Sequence, residues 1–392
     1  MSRHISAGID VGTYNTRVVV SEFIKGSQYP RIVGTGSGES KGLRHGYITN
    51  IDESAKGIKR AVFEAEKISG VKIKRASISI GGISLSSEIS FGKTTITRAD
   101  YEVTHLDVNK AISESEKKLQ IINKKILHAI PISYKLDGKE ILGKPEGMKG
   151  FNLEVKTLFI TCLEQHLDDL VSAVTNAGVE VTDVFASPIA LGIISLTDKQ
   201  KIAGCILVDI GAETVSIAVF ENGNIVSMHV FSIGSTDITH DIALGLKIPL
   251  EEAESLKTEN VVHEYPRKKL DQIIEARLHD IFELIDNHLK KIRRSGLLPA
   301  GVIITGGGSK IATIEEISIQ MLKLPTRVLA IEAMPLFKNK IKDISWITAI
   351  GLCIAGQSNN TNGNETLRGI SIKRSFYWLK NAIENIGKQM LP

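Results

Sequence analysis

Two short stretches, set about half a chain apart, pair an acidic side chain with a glycine at a turn. The first is Gly8-Ile-Asp-Val-Gly-Thr-Tyr-Asn-Thr-Arg-Val-Val-Val20, and the second is Val208-Asp-Ile-Gly-Ala-Glu-Thr-Val-Ser-Ile-Ala-Val219. Each reads as a strand, an Asp-x-Gly turn and a second strand rich in β-branched residues, which is a β-hairpin. Glycine at the apex lets backbone N–H groups approach phosphate oxygens with no side chain in between. An aspartate beside the turn can hold a hydrated Mg²⁺ that neutralises phosphate charge. One such hairpin is an ordinary turn, but turn chemistry gives no reason for two copies. Facing one another, they would grip a triphosphate from both sides. A third element, Val302-Ile-Ile-Thr-Gly-Gly-Gly-Ser309, is a buried strand that runs into three glycines and then a helix. Its glycines admit a flat ring or a ribose, and the helix N-terminus adds a positive dipole. Alone it is equally a tight strand–helix connection; with the hairpins it completes a nucleotide cleft.

The chain around these stretches is that of a globular protein: 42% hydrophobic and 23% charged over 392 residues, long enough for more than one compact unit. A net charge of +4, without a Lys/Arg stripe interleaved with aromatics, does not point to nucleic acid. Cys162, Cys205 and Cys353 lie far apart in apolar runs and lack metal-ligand spacing, so they read as buried thiols in a reducing compartment. The N-terminus has no secretory apolar region, and no run reaches the roughly 18 apolar residues that span a bilayer. Ile344–Ala355, interrupted by Ser345 and Thr348, reads as a core helix. These features predict a cytoplasmic protein whose membrane contact, if any, is from the surface.

Alternating strands and helices give α/β layers. Helices over Ser54–Ser69 and Thr236–Leu246 follow the two hairpins, which marks two related halves. Residues 83–162 break the pattern, with a charged helix (Asp107–Gln120) and extended segments Lys125–Lys135 and Phe151–Cys162; they predict an inserted α+β subdomain. The expected division is a first lobe core over 1–82 and 163–197, a second over 198–246 and 310–355, and a helical insertion over 247–309. A polar, Asn/Gly-rich stretch predicts a flexible linker over 356–371, followed by a tail over 372–392.

In this order, Asp-x-Gly-Thr, Asp-x-Gly and Thr-Gly-Gly-Gly resemble the two phosphate motifs and the adenosine motif of the actin/DnaK-type chaperone/sugar-kinase superfamily. The inserted phrases Ile126-Leu-His-Ala-Ile-Pro-Ile-Ser-Tyr134 and Val155-Lys-Thr-Leu-Phe-Ile-Thr-Cys162, with Ile233-Gly-Ser-Thr-Asp-Ile-Thr-His-Asp-Ile242, resemble the FtsA family of bacterial cell-division actins over nearly the whole chain. The resemblance implies an actin-like duplicated two-lobe α/β fold with the small inserted α+β subdomain and a C-terminal amphipathic helix. It implies ATP and Mg²⁺ as ligands. Asp10 and Asp209 would face the metal. Gly12, Thr13, Tyr14, Asn15 and Arg17 would meet the phosphates from one side, and Gly211, Ala212 and Glu213 from the other. Gly234 would lie under the sugar, Glu254 and Lys257 beside adenine and ribose, and Gly306, Gly307 and Gly308 behind the adenine. Read without the resemblance, Glu254 and Lys257 are an i,i+3 surface ion pair.

Departures from the family pattern bear on turnover. Ala212-Glu213 stands where two glycines are common, Ser216 replaces an acidic or imidazole side chain, and Ser187-Pro188 occupies a position that often carries Glu or Gln. A hydroxyl is a poor base at neutral pH, and losing general-base assistance costs about 10²–10⁴-fold. The expectation is ATP binding with weak or absent hydrolysis. The resemblance further implies self-association through the inserted subdomain, binding of the FtsZ C-terminal peptide, and a place on the cytoplasmic face of the inner membrane at the division site. Two rivals are a PilM-like pilus adaptor, which has no need of a lipid-binding tail, and a small-molecule kinase, which needs a catalytic aspartate facing the acceptor hydroxyl, and no third aspartate stands in a comparable motif.

In the tail, Phe376, Leu379, Ile383, Ile386 and Met390 fall on one helical face, and Lys380, Asn381, Glu384, Asn385 and Lys388 on the other. Trp378 flanks the apolar face, as amphipathic rings do at a membrane interface. A helix docked on its own core would not need a flexible lead. Partial burial in anionic inner-membrane lipid would contribute about 5–8 kcal/mol before ordering costs, enough for reversible binding that many tails on one filament would make stable.

Overall fold

The computed structural model describes residues 4–24, 30–258, 265–331, 341, 343–358 and 370–371. Its first strands follow from β-branched sequence. β1 (His4–Val11) pairs antiparallel with β2 (Asn15–Phe23), and β3 (Arg31–Glu39) continues the meander. A small ladder of β4 (Leu43–Arg44) and β5 (Tyr47–Ile48) turns at His45 and Gly46, both in the left-handed region. α1 (Ile51–Ser69) begins three residues before the predicted helix because Asn50 caps it, accepting the Glu53 N–H. It stops at left-handed Gly70. β6 (Arg75–Ile80) then runs parallel to β1.

The inserted segment contains β7 (Ser86–Thr95), α2 (His105–Glu116), β8 (Lys124–Leu136), β9 (Lys139–Ile141) and β10 (Asn152–Leu163). Asp107 accepts the Thr104 N–H at 2.9 Å and so opens α2 earlier than its apolar periodicity suggests. A separate small core, including Val108, Ala111, Leu153 and Val155, fills this segment. The chain returns through α3 (Glu164–Asn176), β11 (Glu180–Ala186), α4 (Ser187–Ser195) and α5 (Asp198–Ala203).

The second half repeats the opening. β12 (Cys205–Ile210), β13 (Val215–Glu221) and β14 (Asn224–Phe231) form an antiparallel meander. Helices α6 (Ser235–Leu246), α7 (Leu250–Thr258) and α8 (Arg267–Lys291) follow, then β15 (Val302–Thr305), α9 (Ile314–Leu322), β16 (Thr326–Val328), α10 (Ile347–Ser358) and β17 (Ile370–Ser371). The duplication extends to register: Asp10 lies opposite Arg17, and Asp209 opposite Ser216.

Two large sheets result, in the orders β17-β11-β6-β1-β2-β3 and β16-β15-β12-β13-β14-β7-β10-β8-β9. The inserted strands continue the second sheet: His229 of β14 bridges to Ser86 of β7, and the Ser87 hydroxyl both donates to Met228 O and accepts from Met228 N–H, at 2.8 and 2.9 Å. Two expectations need correction. Residues 347–355, assigned above to the second lobe, instead pack on the first. Ile347, Ile350 and Cys353 share a core with Ile9, Val19 and Ile78, and Ser6 Oγ donates to Cys353 O at 3.1 Å. The predicted linker over 356–371 includes structured residues at both ends, since α10 runs to Ser358 and Ile370–Ser371 pairs antiparallel with Val184 and Asp183 of β11. Hydropathy shows that a helix is buried but not against which sheet, and a polar stretch does not disclose a strand that pairs at its end. The residues of the tail reading lie outside those described.

Cys162, Cys205 and Cys353 are buried free thiols, each pushed up to about 12 by burial. Among the described residues no helix is long and apolar enough to cross a membrane.

Candidate functional site

The β1–β2 and β12–β13 hairpins point their turns into one cleft of about 600 Å³. This follows from strand direction. β1, β6 and β11 are parallel and end on the cleft side, as β12 and β15 do in the other lobe, so the loops after these strands converge. Asp10, Gly12, Thr13, Tyr14, Asn15 and Arg17 line the cleft from the first hairpin. Asp209, Gly211 and Ala212 line it from the second, Glu254 and Lys257 from α7, and Gly306 and Gly307 from the turn after β15.

The two aspartates lie at the base. Ser79 Oγ of β6 donates to Asp10 Oδ1 at 2.6 Å. Burial nevertheless pushes the Asp10 carboxyl above its usual range, with Ser79 and Arg17 opposing. Asp209 is pushed up to about 7, first by burial and then by the charge of Asp10; Arg17 and a hydrogen bond from Ser216 oppose the shift. Two carboxyls that repel each other at the floor of a cleft, with one guanidinium near both, form an acceptor set suited to a divalent cation or its water shell. Beside them, the buried Thr305 hydroxyl borders the cleft with no hydrogen-bond partner among the described residues.

The three glycines after β15 have different duties. Gly306 adopts φ 90°, and a Cβ there would lie 2.3 Å from Asp209 Oδ1. Gly308 packs under Ile210 and Ser235, where a Cβ would lie 2.5 Å from Ile210 Cγ2. A Cβ on Gly307 would meet nothing within 4 Å, so of the three its face is open for a flat ligand.

Lys257 is no surface ion pair. Its side chain is 5% exposed, and its ammonium donates to Ser235 O at 3.1 Å, Thr239 Oγ1 at 2.9 Å and Glu254 Oε2 at 2.6 Å. All three protons are used, which offsets the cost of burying the charge. Glu254 Oε2 also accepts from Thr239, and the residue lines the cleft.

Three predicted residues do not line the cleft. Gly234 packs beneath the second hairpin, where a Cβ would lie 2.2 Å from Ala212 O. Gly308 is the packing glycine described above. Glu213 turns toward the first lobe: its carboxylate accepts the His45 N–H at 2.5 Å, and its carbonyl meets His45 Nδ1 at 3.1 Å. Phe376, Trp378, Leu379, Ile383, Ile386 and Met390 lie outside the described residues. Sequence reading missed several cleft residues, among them Lys310 and Asp343, which pair at 3.5 Å. The predicted Arg17 has its guanidinium 5.8 Å from the Trp346 ring centre. These contacts join segments remote in sequence, and no local spacing signals them. Gly81 and Gly82, straight after β6, also line the cleft, and a glycine pair after a strand is a local sign of such a place.

At the connecting turn, Ser187 Oγ donates to Ile80 O at 2.8 Å, so its proton is committed to the fold. Among the described lining residues, the carboxyl groups are Asp10, Asp209, Glu254 and Asp343, and no imidazole is present.

A solved structure of the PilM–PilN type IV pilus biogenesis complex superposes with a TM-score of 0.67, covering 90% of this chain and 98% of that one at 16% identity. MreB5 of Spiroplasma citri, solved with ADP, gives 0.53, covering 92% and 99% at 13% identity. The fold is therefore actin-like. Within it, residues 206–351 match the family model of cell division protein FtsA, and residues 82–161 match the SHS2 domain inserted in FtsA. Cell division protein FtsA of Neisseria meningitidis serogroup B is 30% identical over 377 residues, covering 89% of both chains. The chain belongs to the FtsA family of cell division proteins.

Proposed function

We propose that this protein binds Mg–ATP between its lobes, assembles with copies of itself, and ties FtsZ filaments to the membrane during division. Family membership supports the division role. One observation carries the nucleotide reading: two hairpins with equivalent registers present Asp10 and Asp209 to a single cleft. Backbone N–H groups of Gly12–Asn15 and Gly211–Ala212 would hold the phosphates, with Arg17 as the cationic partner. Asp10 and Asp209 would orient the metal's water shell, and the ion would neutralise charge on the terminal phosphates. Glu254 would accept from the ribose, and adenine would lie over Gly307.

Anchoring rests on the 372–392 sequence, and the resemblance to the family suggests the helical insertion over 247–309 as the place where the FtsZ C-terminal peptide would bind. The pilus-adaptor reading has only a shared fold in its favour.

Ser187 spends its proton on Ile80 O and Ser216 faces Asp209, so neither hydroxyl stands ready to activate water where the family often carries a Glu, Gln, acidic or imidazole side chain. Bound ATP is expected to turn over more slowly than about one per second. Phosphate release at saturating Mg–ATP, measured beside ATP-dependent sedimentation, tests both halves. Assembly with slow release is the expected result; faster turnover contradicts this assignment of Ser187 and Ser216, and nucleotide-independent behaviour contradicts the cleft.

A further inference from the structure

β17 fixes where the tail leaves the globule. Its register with β11 places Ser371 opposite Asp183 and Ile370 opposite Val184, so the chain runs toward Glu180. Glu180 pairs with Arg75 at the start of β6. At about 3.3 Å per residue, the tail begins roughly 10 Å from that pair. This is the end of the first sheet opposite the cleft, because β1, β6 and β11 all start here and finish at the site.

The connection from α1 to β6 occupies the same end. It reads Lys67-Ile-Ser-Gly-Val-Lys-Ile-Lys-Arg75, four cations in nine residues. Lys67, Lys72, Lys74 and Arg75 are all exposed, whereas Ile73 is buried and anchors the loop. Lys72 pairs with Glu66 and Arg75 with Glu180, but Lys67 and Lys74 enter no ion pair among the described residues. Ile68 protrudes between them at 64% exposure, and Ile24, just past the end of β2, adds a second apolar tip at 52%.

We propose that this face is a second membrane contact, in which Lys67, Lys74 and Ile68 rest on anionic lipid while the tail inserts beside them. Cations around an apolar tip suit a charged interface that an isoleucine can enter, and each basic residue near such a surface is worth about 1 kcal/mol. The tail supplies the occupant, since it delivers bilayer to the end of the lobe from which it departs. The face holds the globule with the cleft turned away from the bilayer, where one tail alone would leave its orientation free. The inference rests on the anchoring role of residues 372–392.

The test uses the full chain with vesicles of phosphatidylglycerol mixed with phosphatidylcholine, and of phosphatidylcholine alone. Lys67→Gln with Lys74→Gln is expected to weaken binding to the anionic vesicles about 30-fold, from two cations at about 1 kcal/mol each, and to leave phosphatidylcholine binding unchanged. A dye sensitive to polarity reports directly: the native thiols are buried, so Ile68→Cys labels selectively, and its emission should shift blue on anionic vesicles. The same dye at Leu250→Cys, on the other lobe, should not shift. Anionic binding within twofold of wild type, or a silent dye at position 68, overturns the proposal. If Phe376→Glu with Trp378→Glu still abolishes binding in that case, the anchor survives and only the face is lost; absence of vesicle binding by the wild type removes both.

Discussion

Replacing Asp209 with alanine is expected to weaken Mg–ATP binding about 100-fold and to abolish nucleotide-dependent assembly. A hydrogen bond to a charged group is worth about 1.5–3 kcal/mol, and loss of a carboxylate facing a divalent ion sits near the upper end. The same residue has an opposite effect on the ligand-free fold. Asp209 is held near 7 against an ordinary 3.8, so between these values the folded chain keeps a proton that the unfolded chain has released. Stability of the ligand-free protein therefore falls as pH rises from about 4 to 7. Asp209→Asn removes that dependence. At pH 8 it should melt higher than wild type without nucleotide, yet gain less from Mg–ATP. Calorimetric titration and melting curves at pH 5 and 8 read both effects. Affinity within threefold of wild type, or a melting profile that Asp209→Asn leaves unchanged, removes the residue from the site.

The second large effect lies in the tail. Phe376→Glu with Trp378→Glu removes two aromatic side chains and puts two negative charges beside an anionic surface. Burying a large apolar side chain is worth about 1.5–3 kcal/mol when complete, so the loss should exceed about 100-fold and release the protein from anionic vesicles. Nucleotide affinity should not change, because the described lining of the cleft comes from the two lobes. Retained vesicle binding would return residues 372–392 to an ordinary core-packing role.

Much of the site was legible because its chemistry is local. Asp10 and Asp209 announce themselves by the Asp-x-Gly turn between β-branched strands, and the glycine run after β15 by its composition. The finer division of labour was not legible. Gly307 is open while Gly306 and Gly308 serve packing, a difference set by Asp209, Ile210 and Ser235 from distant segments. Glu213 sits in a phosphate-type turn but reaches across to His45, a partner 168 residues away and invisible to spacing. α10 was recognisable as buried from its hydropathy, yet its place on the first lobe depends on Ser6, Ile9 and Ile78. The single-bridge junction between β14 and β7 rests on Ser86 and Ser87, polar residues that no hydrophobic pattern marks.

The central claim is that Asp10 and Asp209 face one metal-bound triphosphate. A crystal structure of the full chain grown with Mg²⁺ and a non-hydrolysable ATP analogue tests it most directly. The account predicts phosphates held between Gly12–Asn15 and Gly211–Ala212, with the cation's water shell against both carboxylates. A nucleotide bound elsewhere, or phosphates touching only one of the two hairpins, would contradict it.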